Sequence, residues 1–332
     1  MQKRQMGRDG QAVGCLGVGA MSFSDFYGPT SEENSFAILD AALEAGVTHL
    51  DTSNVYGMGR SEKAIGVYLQ ANTAARDMFH IATKASITTD ADGNRYFDNS
   101  PEHLEAELDK SLQRLNVDCV DLFYVHRRDA SIEIEQVTET LAALVRKGKT
   151  RSIGFSEIAP TSVRRAQAVH PVAAVQSEYS LWTRSPEMGL IQTCAELGVA
   201  LVAFSPVGRS MLTDHPLTKE IAATLSFLKG NPRFQSPNYE ENLRLSDGFR
   251  KLAAEFEIPA AGLAIAWTLA KGDHVIPIPG TRSVGHFNEL VAGTKVALNA
   301  DEMARIETVL PIGWAHGDRY SYDQWVGPER FC

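Results

Sequence analysis

The 332-residue chain contains no C-x-x-C pair, no N-x-[ST] sequon and no apolar run near the ~18 residues a membrane helix needs. Its four cysteines, Cys15, Cys119, Cys194 and Cys332, are scattered, so neither a disulfide framework nor a zinc site is expected. The opening stretch Met1-Gln2-Lys3-Arg4-Gln5 leads into no apolar segment, so no secretory signal is expected and a reduced cytoplasmic protein is the reading. Excess positive charge is lacking too. A formal net charge of −9 argues against nucleic acid or an anionic membrane as partner, but leaves room for a local cationic pocket. Two familiar fingerprints fail. Gly17-Val18-Gly19-Ala20-Met21-Ser22 lacks the third glycine of G-x-G-x-x-G, and Gly154-Phe155-Ser156-Glu157-Ile158 misses the last position of G-x-S-x-G.

What is present is ordinary globular composition, 44% hydrophobic and 22% charged, with one recurring pattern. After a hairpin signalled by Asp9-Gly10, helical stretches end at a glycine and a short apolar strand follows. This happens at Gly46 before Thr48, at Gly148 before Ser152, at Gly198 before Ala200 and at Gly272 before Val275. Thr30 and Glu33 read as a capping box, Ser100-Pro101 as a helix start, and Leu104, Leu108, Leu112 and Leu115 as one helical face. Val137, Leu141, Leu144 and Val145 form another. Strands such as Val120–Val125 are nearly continuous apolar runs, as parallel strands buried on both faces require.

Starting positions near Leu16, His49, Phe79, Val120, Ser152, Ala174, Ala200 and Val275 make eight strands alternating with helices. That predicts an α/β fold, a (β/α)8 TIM barrel, with a doubly wound sheet as the rival. No linker divides the chain, and residues 1–332 read as one domain. Ser205 to about Asn242 is too long for an ordinary connection and has the length of a lid. A last helix is expected from Asp301 to Leu310, capped by Asn299 with Glu302. An aromatic tail follows, with Trp314, Tyr320, Tyr322, Trp325 and Phe331.

In a barrel, catalytic groups belong at the carboxyl ends of strands. The second strand ends at Asp51 with Tyr56 a short turn later, the third at Lys84 and the fourth at His126. Taken singly, these read as a turn former, a packed aromatic, a surface charge and a core histidine. Together at three successive strand ends they form a chemical set. Tyrosine, with a pKa of about 10, is a poor acid unless an ammonium such as Lys84 stabilises its phenolate and lowers that pKa. Asp51 would aim Lys84, and His126 would hydrogen-bond a carbonyl oxygen as charge develops. The set lacks a hydride, which a nicotinamide would supply.

These segments also resemble a known family. Asp51-Thr52-Ser53-Asn54-Val55-Tyr56-Gly57, Ile81-Ala82-Thr83-Lys84, Phe123-Tyr124-Val125-His126-Arg127, Val175–Trp182 and Ile278-Pro279-Gly280-Thr281-Arg282 resemble the active-site segments of the aldo-keto reductases, in order along essentially the whole chain. The resemblance implies a catalytic tetrad of Asp51, Tyr56, Lys84 and His126. It also implies NADPH/NADP+, with NADH less favoured, bound in the barrel without a Rossmann domain. It puts the ring of Tyr179 against the nicotinamide and Ser156 and Gln176 on the carboxamide. Glu157 stands where many relatives have asparagine. Ser205, Pro206, Val207, Gly208 and Arg209 correspond to the cover of the pyrophosphate, and Gly280, Thr281 and Arg282 to the adenosine end. Arg282 is either the planar fork for a 2′-phosphate or a solvated surface arginine. The chain departs from the family at His286, where relatives often have Gln or Arg, and at Leu290, where they often have Asn. Leu290 cannot hydrogen-bond adenine, which leaves Glu289 for that contact.

A small-molecule carbonyl is the expected partner; subunit number is not legible. Met21, Phe26, Tyr27, Trp182 and the aromatic tail are candidate walls of a partly apolar pocket. Arg127 and Arg128 offer charge to an anionic substrate, unless Arg127 pairs with Asp129. Two rival functions stand beside the reductase: a barrel aldolase using Lys84 as a Schiff-base nucleophile, and a cofactor-sensing regulatory subunit with little turnover.

Overall fold

A computed structural model describes residues 1–330 and 332; Phe331 of the aromatic tail lies outside the described residues. Eight strands form one sheet in sequence order: β1 (Gly17–Gly19), β2 (His49–Asp51), β3 (His80–Ala85), β4 (Val120–Val125), β5 (Thr150–Ser156), β6 (Val172–Glu178), β7 (Ala200–Phe204) and β8 (Val275–Pro277). Each pairs in parallel with the next. The Gly19 N–H donates to Pro279 O at 2.9 Å, which brings the first and last strands together. The architecture is the (β/α)8 barrel, not the doubly wound sheet.

The all-buried pattern of the strands follows from their having two covered faces. Outside, apolar helix faces pack on the sheet, with Leu104, Leu108, Val137 and Leu141 in one continuous cluster. Inside, a separate cluster of Ala82, Leu122, Tyr124, Ala174, Val202 and Ile276 fills the barrel. A β-carbon on Gly154 would stand 2.5 Å from the Tyr124 ring, so the glycine on β5 makes room for the tyrosine on β4. The N-terminal hairpin, Lys3–Gln5 paired with Ala12–Gly14, plugs the bottom. It adds Met6 and Val13 to the interior cluster, and Arg4 donates to Leu269 O at 2.8 Å and Gly272 O at 2.7 Å. Its positive-φ residue is Gly7, and Gly10 N–H donates back to Gly7 O at 3.3 Å.

Other expectations moved. The first long helix, Glu32–Ala45, is capped by Ser31, whose side chain accepts from Asn34 N–H, rather than by Thr30. The Thr30 N–H is taken by the Asp25 carboxylate at 2.6 Å and its carbonyl by Arg60, which leaves Ser31 in the extended cap conformation. A small hairpin, Ile87–Thr89 with Arg95–Phe97, follows β3 and had no sequence signal of its own strong enough to be assigned. The 205–242 segment is not structureless: it winds through a helix at Lys219–Thr224 and a turn at Pro232–Phe234. The last helix, Ala300–Val309, has the Asn299–Glu302 capping box. Among the described residues no single helix is long and apolar enough to cross a membrane.

At the lower end of the barrel, His49 Nδ1 and His80 Nδ1 lie 3.0 Å apart, both buried. Burial, then each other's proximity, holds His49 well below the usual histidine value; burial takes His80 down to about 4. Both are neutral in the folded protein near neutrality. A depressed folded-state pKa gives stability that is present above the unfolded value of about 6.5 and lost as pH falls. The expected loss is about 1.4 kcal/mol per pH unit for each such histidine below about pH 6.5. Urea midpoints taken near neutrality and near pH 5 should therefore converge in His80→Phe relative to wild type. An unchanged acid dependence in the variant would remove this role.

Candidate active site

The carboxyl ends of β2 to β4 bring Asp51, Lys84 and His126 together because those strands are neighbours in register, with Asp51 beside Ala82 and Lys84 beside Tyr124. The turn after β2 is held by two backbone bonds to β3, Thr52 N–H to Ala82 O (2.9 Å) and Asn54 N–H to Lys84 O (3.1 Å). Gly57, with φ 59°, then lets the chain turn immediately behind Tyr56. Tyr56, His126 and Asp51 reach one cavity of about 340 Å3 at the top of the barrel.

Lys84 lies underneath, fully buried and outside the cavity wall. Its Nζ is bonded to Asp51, donates to Thr52 O at 2.7 Å, and sits 5.2 Å from the centre of the Tyr56 ring. Asp51 also accepts from Gln176 Nε2 at 2.7 Å. Burial disfavours both charges of the pair, drawing Lys84 down and Asp51 up, while their attraction opposes this. Tyr56 departs from the sequence reading. Burial first, and the Asp51 charge second, push its phenol well above the usual value. The Arg127 charge opposes this shift without overcoming it.

His126 is pushed well below its usual value by burial, then by Arg127 and Lys84, so the imidazole is neutral. Its Nδ1 lies 3.1 Å from Ser53 Oγ. The contact of Ser53 with His126 spans 73 positions, which no local pattern in the sequence reveals.

The cavity runs from this centre along the ends of β5 to β8. Ser156, Gln176, Ser205, Pro206, Val207 and Arg209 lie on its wall, then Gly280, Thr281, Arg282, His286 and Glu289. Met21, Tyr27, Arg127 and Tyr320 line it as well. Ser205, Arg209 and Ser210 all have positive φ (51°, 53° and 79°), a cluster of non-glycine residues in the left-handed region that marks a constrained loop. The sequence did not show how much of the 205–242 segment covers this channel: Leu217 and Phe227 also reach it.

Several expected contacts do not form. Tyr179 is fully buried behind the wall, where its hydroxyl donates to Glu187 Oε1 at 2.8 Å and its ring packs 5.5 Å from Trp267. The aromatic that reaches the cavity from the ends of these strands is Phe204, the last residue of β7. The sequence signal was there, since Phe204 directly precedes Ser205-Pro206.

Glu157 is fully buried, with φ 58°, and is bound to Arg319 rather than facing the cavity. Gly208 faces away, and a β-carbon on it would meet Trp182 at 2.9 Å. Trp182 is buried between Phe234 and Trp314, and Phe26 only backs Tyr27 and Phe227. Of the described tail aromatics only Tyr320 lines the cavity; Tyr322 is 89% exposed. Arg127 does not pair with Asp129, whose carboxylate accepts from Ser131; Arg128 leaves the site to pair with Glu329 at 3.0 Å.

The chain as a whole is similar to known proteins. The model of the Aldo/keto reductase family matches residues 15–311. The chain is 35% identical over 321 residues to a probable aldo-keto reductase 1 of Glycine max, covering 96% of this chain and 92% of that one. It is 36% identical over 321 residues to the aldo-keto reductase yakc, NADP(+), of Schizosaccharomyces pombe, covering 96% and 94%. Among solved structures it superposes on a glycerol dehydrogenase from Gluconobacter oxydans with a TM-score of 0.80 at 25% identity, covering 93% and 94%. The holo form of an aldo-keto reductase from Bacillus halodurans gives 0.77 at 26%, covering 98% and 99%. With most of its length matched by the family model and by these relatives, the chain belongs to the aldo/keto reductase family and is an oxidoreductase.

Proposed function

We propose that this protein reduces an aldehyde or ketone to an alcohol with NADPH, and that Tyr56 delivers the proton. One observation carries the reading. The Tyr56 hydroxyl has no hydrogen-bond partner among the described residues and opens into the cavity, while Lys84, bonded to Asp51, is buried beneath its ring.

The channel fits the cofactor. A β-carbon on Gly280 would stand 2.8 Å from Gly19 O, so the glycine lets the adenosine-end loop close against β1. Arg282 reaches the channel with one protein acceptor, Pro29 O at 3.1 Å, and no carboxylate within 4 Å among the described residues. It is therefore free to fork onto a 2′-phosphate. Ser156 and Gln176 line the channel and would hold the carboxamide, Gln176 through its oxygen because its Nε2 is held by Asp51. Phe204, not Tyr179, presents its ring at the channel wall for the nicotinamide.

When bound, NADPH supplies a hydride to the carbonyl carbon. The rest falls to this chain. His126, neutral, donates from Nε2 to the carbonyl oxygen only in the tautomer where Ser53 Oγ–H donates to Nδ1. As the oxygen gains charge it becomes more basic than a phenolate, and Tyr56 gives up its proton despite its raised pKa. Lys84 stabilises the phenolate left behind, and solvent restores the proton. Lys84 is no Schiff-base nucleophile in this geometry, because its Nζ is buried off the cavity.

The test is a panel of aldehydes and ketones followed by loss of reduced-nicotinamide absorbance. Turnover with NADPH supports the reading. Tight NADPH binding without turnover of any member would replace it with the cofactor-sensing role. For the cofactor end, Arg282→Ala should raise the KM for NADPH on the order of tenfold to a hundredfold, as for a charge-assisted contact. The KM for NADH should change less than about threefold. Equal changes would withdraw the phosphate assignment.

A further inference from the structure

Among the guanidiniums at the catalytic end of the cavity, one stands without an acid. Arg209 donates to Glu178 at 2.8 Å and Arg319 is bound to Glu157, so those charges are balanced. Arg127 lines the same cavity, next in sequence to His126, and no carboxylate lies within 4 Å of it among the described residues. Its two protein acceptors, His126 O at 2.6 Å and Ser156 Oγ at 3.1 Å, are both taken by Nη1, and its Nε is buried with no partner. These bonds fix the side chain without a carboxylate contact; Glu157, which feels its charge, is itself bound to Arg319. Arg95, on the exposed hairpin after β3 and outside the cavity wall, adds a more distant positive charge. It packs 5.1 Å over the Phe97 ring, and its field is felt at His126. A half-buried guanidinium without a carboxylate contact has a cost to folding that an anionic ligand would relieve.

We infer that the substrate is an aldehyde or ketone carrying a carboxylate a few bonds from the reacting carbonyl, with Arg127 as the residue that selects it. The inference rests on the reductase reading above. The carbonyl oxygen between Tyr56 and His126 and the carboxylate on Arg127 would fix the molecule at two points, which is what orientation for hydride transfer requires. The residues that would hold the cofactor's phosphates, the 205–209 segment and Arg282, are distinct from Arg127.

The experiment compares glutaric semialdehyde with its methyl ester, which loses the charge and gains one methyl group. The acid should be favoured in kcat/KM on the order of tenfold to a hundredfold, and the preference should shrink with added salt. In Arg127→Met the acid-to-ester ratio should fall to near one, whatever happens to the absolute rates; Arg127→Lys should keep most of it. Wild-type turnover of both without preference, or a ratio that survives Arg127→Met, overturns the inference. Calorimetric titration of the NADPH-loaded wild-type protein with pentanoate against pentanamide reads the same preference without turnover. The reduced cofactor is chosen because an oxidised ring would itself attract an anion. Preferred binding of pentanoate with no turnover would overturn the reductase reading and leave the anion site standing. No preference in titration or turnover removes the anion site.

Discussion

Replacing Tyr56 by Phe should lower kcat by a factor of at least about 10² to 10⁴, the range typical of a lost general acid, with the dissociation constant for NADPH within about twofold of wild type. The two halves of this expectation come from one feature. The phenol oxygen has no bond to the described protein, so its removal costs the fold almost nothing; the ring, 9% exposed and edge-on to His126 at 5.9 Å, stays to fill its place. The loss should therefore appear in the chemical step. Single-turnover reduction with NADPH in excess separates it from binding, and a kinetic isotope effect from deuterated cofactor should rise toward its intrinsic size. Wild-type turnover in the variant would reject Tyr56 as the acid. A large loss of cofactor affinity would instead make it a binding residue.

The raised pKa of Tyr56 bears on how this acid works. Sequence logic, lysine beside tyrosine, pointed to a lowered pKa at rest. The folded protein places the ammonium against Asp51 and a carbonyl, with the tyrosine ring above it, while burial and the Asp51 charge hold the phenol up. A poised acid need not be a strong one beforehand. It needs an acceptor more basic than its own phenolate, which the carbonyl oxygen becomes as hydride arrives.

The same contrast between pattern and placement explains what could be read from the chain. The eight strands were legible because a buried parallel strand is a short apolar run bounded by turn signals, and each run lies within two residues of its observed start. Asp51, Lys84 and His126 were legible because strand ends fix position along the barrel axis. Direction around the axis is another matter. Tyr179 and Phe204 both follow strands, but one lies just past the end of β6, turned behind the wall onto Glu187, and the other ends β7 facing the cavity. Which faces inward depends on local turns that no periodicity encodes. The partner of Glu157 was illegible for a different reason, since Arg319 is 162 residues away and within an aromatic tail that carries no regular element until Asp323.

That distant pair carries the largest expected effect on stability. Burial opposes ionisation of Glu157, but Arg319, then Arg127, outweigh it and hold the carboxyl below its usual range. Its Oε1 accepts from Arg319 Nη1 at 3.3 Å and from the Glu178 N–H at 2.9 Å, and Asn231 ties the Arg319 carbonyl to the 205–242 segment. Arg319→Met leaves the carboxylate buried without its cation, which should cost about 3–5 kcal/mol, read as a lower urea midpoint. The isolated carboxyl should then hold its proton, its pKa raised above the unfolded value of about 4.3. A raised folded-state pKa gives stability that is lost as pH rises, so the deficit should be larger at about pH 8 than at about pH 5. Adding Glu157→Gln should restore much of the loss, because no buried charge then remains unpaired. In the single variant Tyr320, the next residue along the tail and part of the cavity wall, loses its anchor, so the KM for the carbonyl should rise while NADPH affinity holds. A single variant as stable as wild type, or no recovery in the double, would show that the tail is held by its aromatic packing and that the ion pair contributes little.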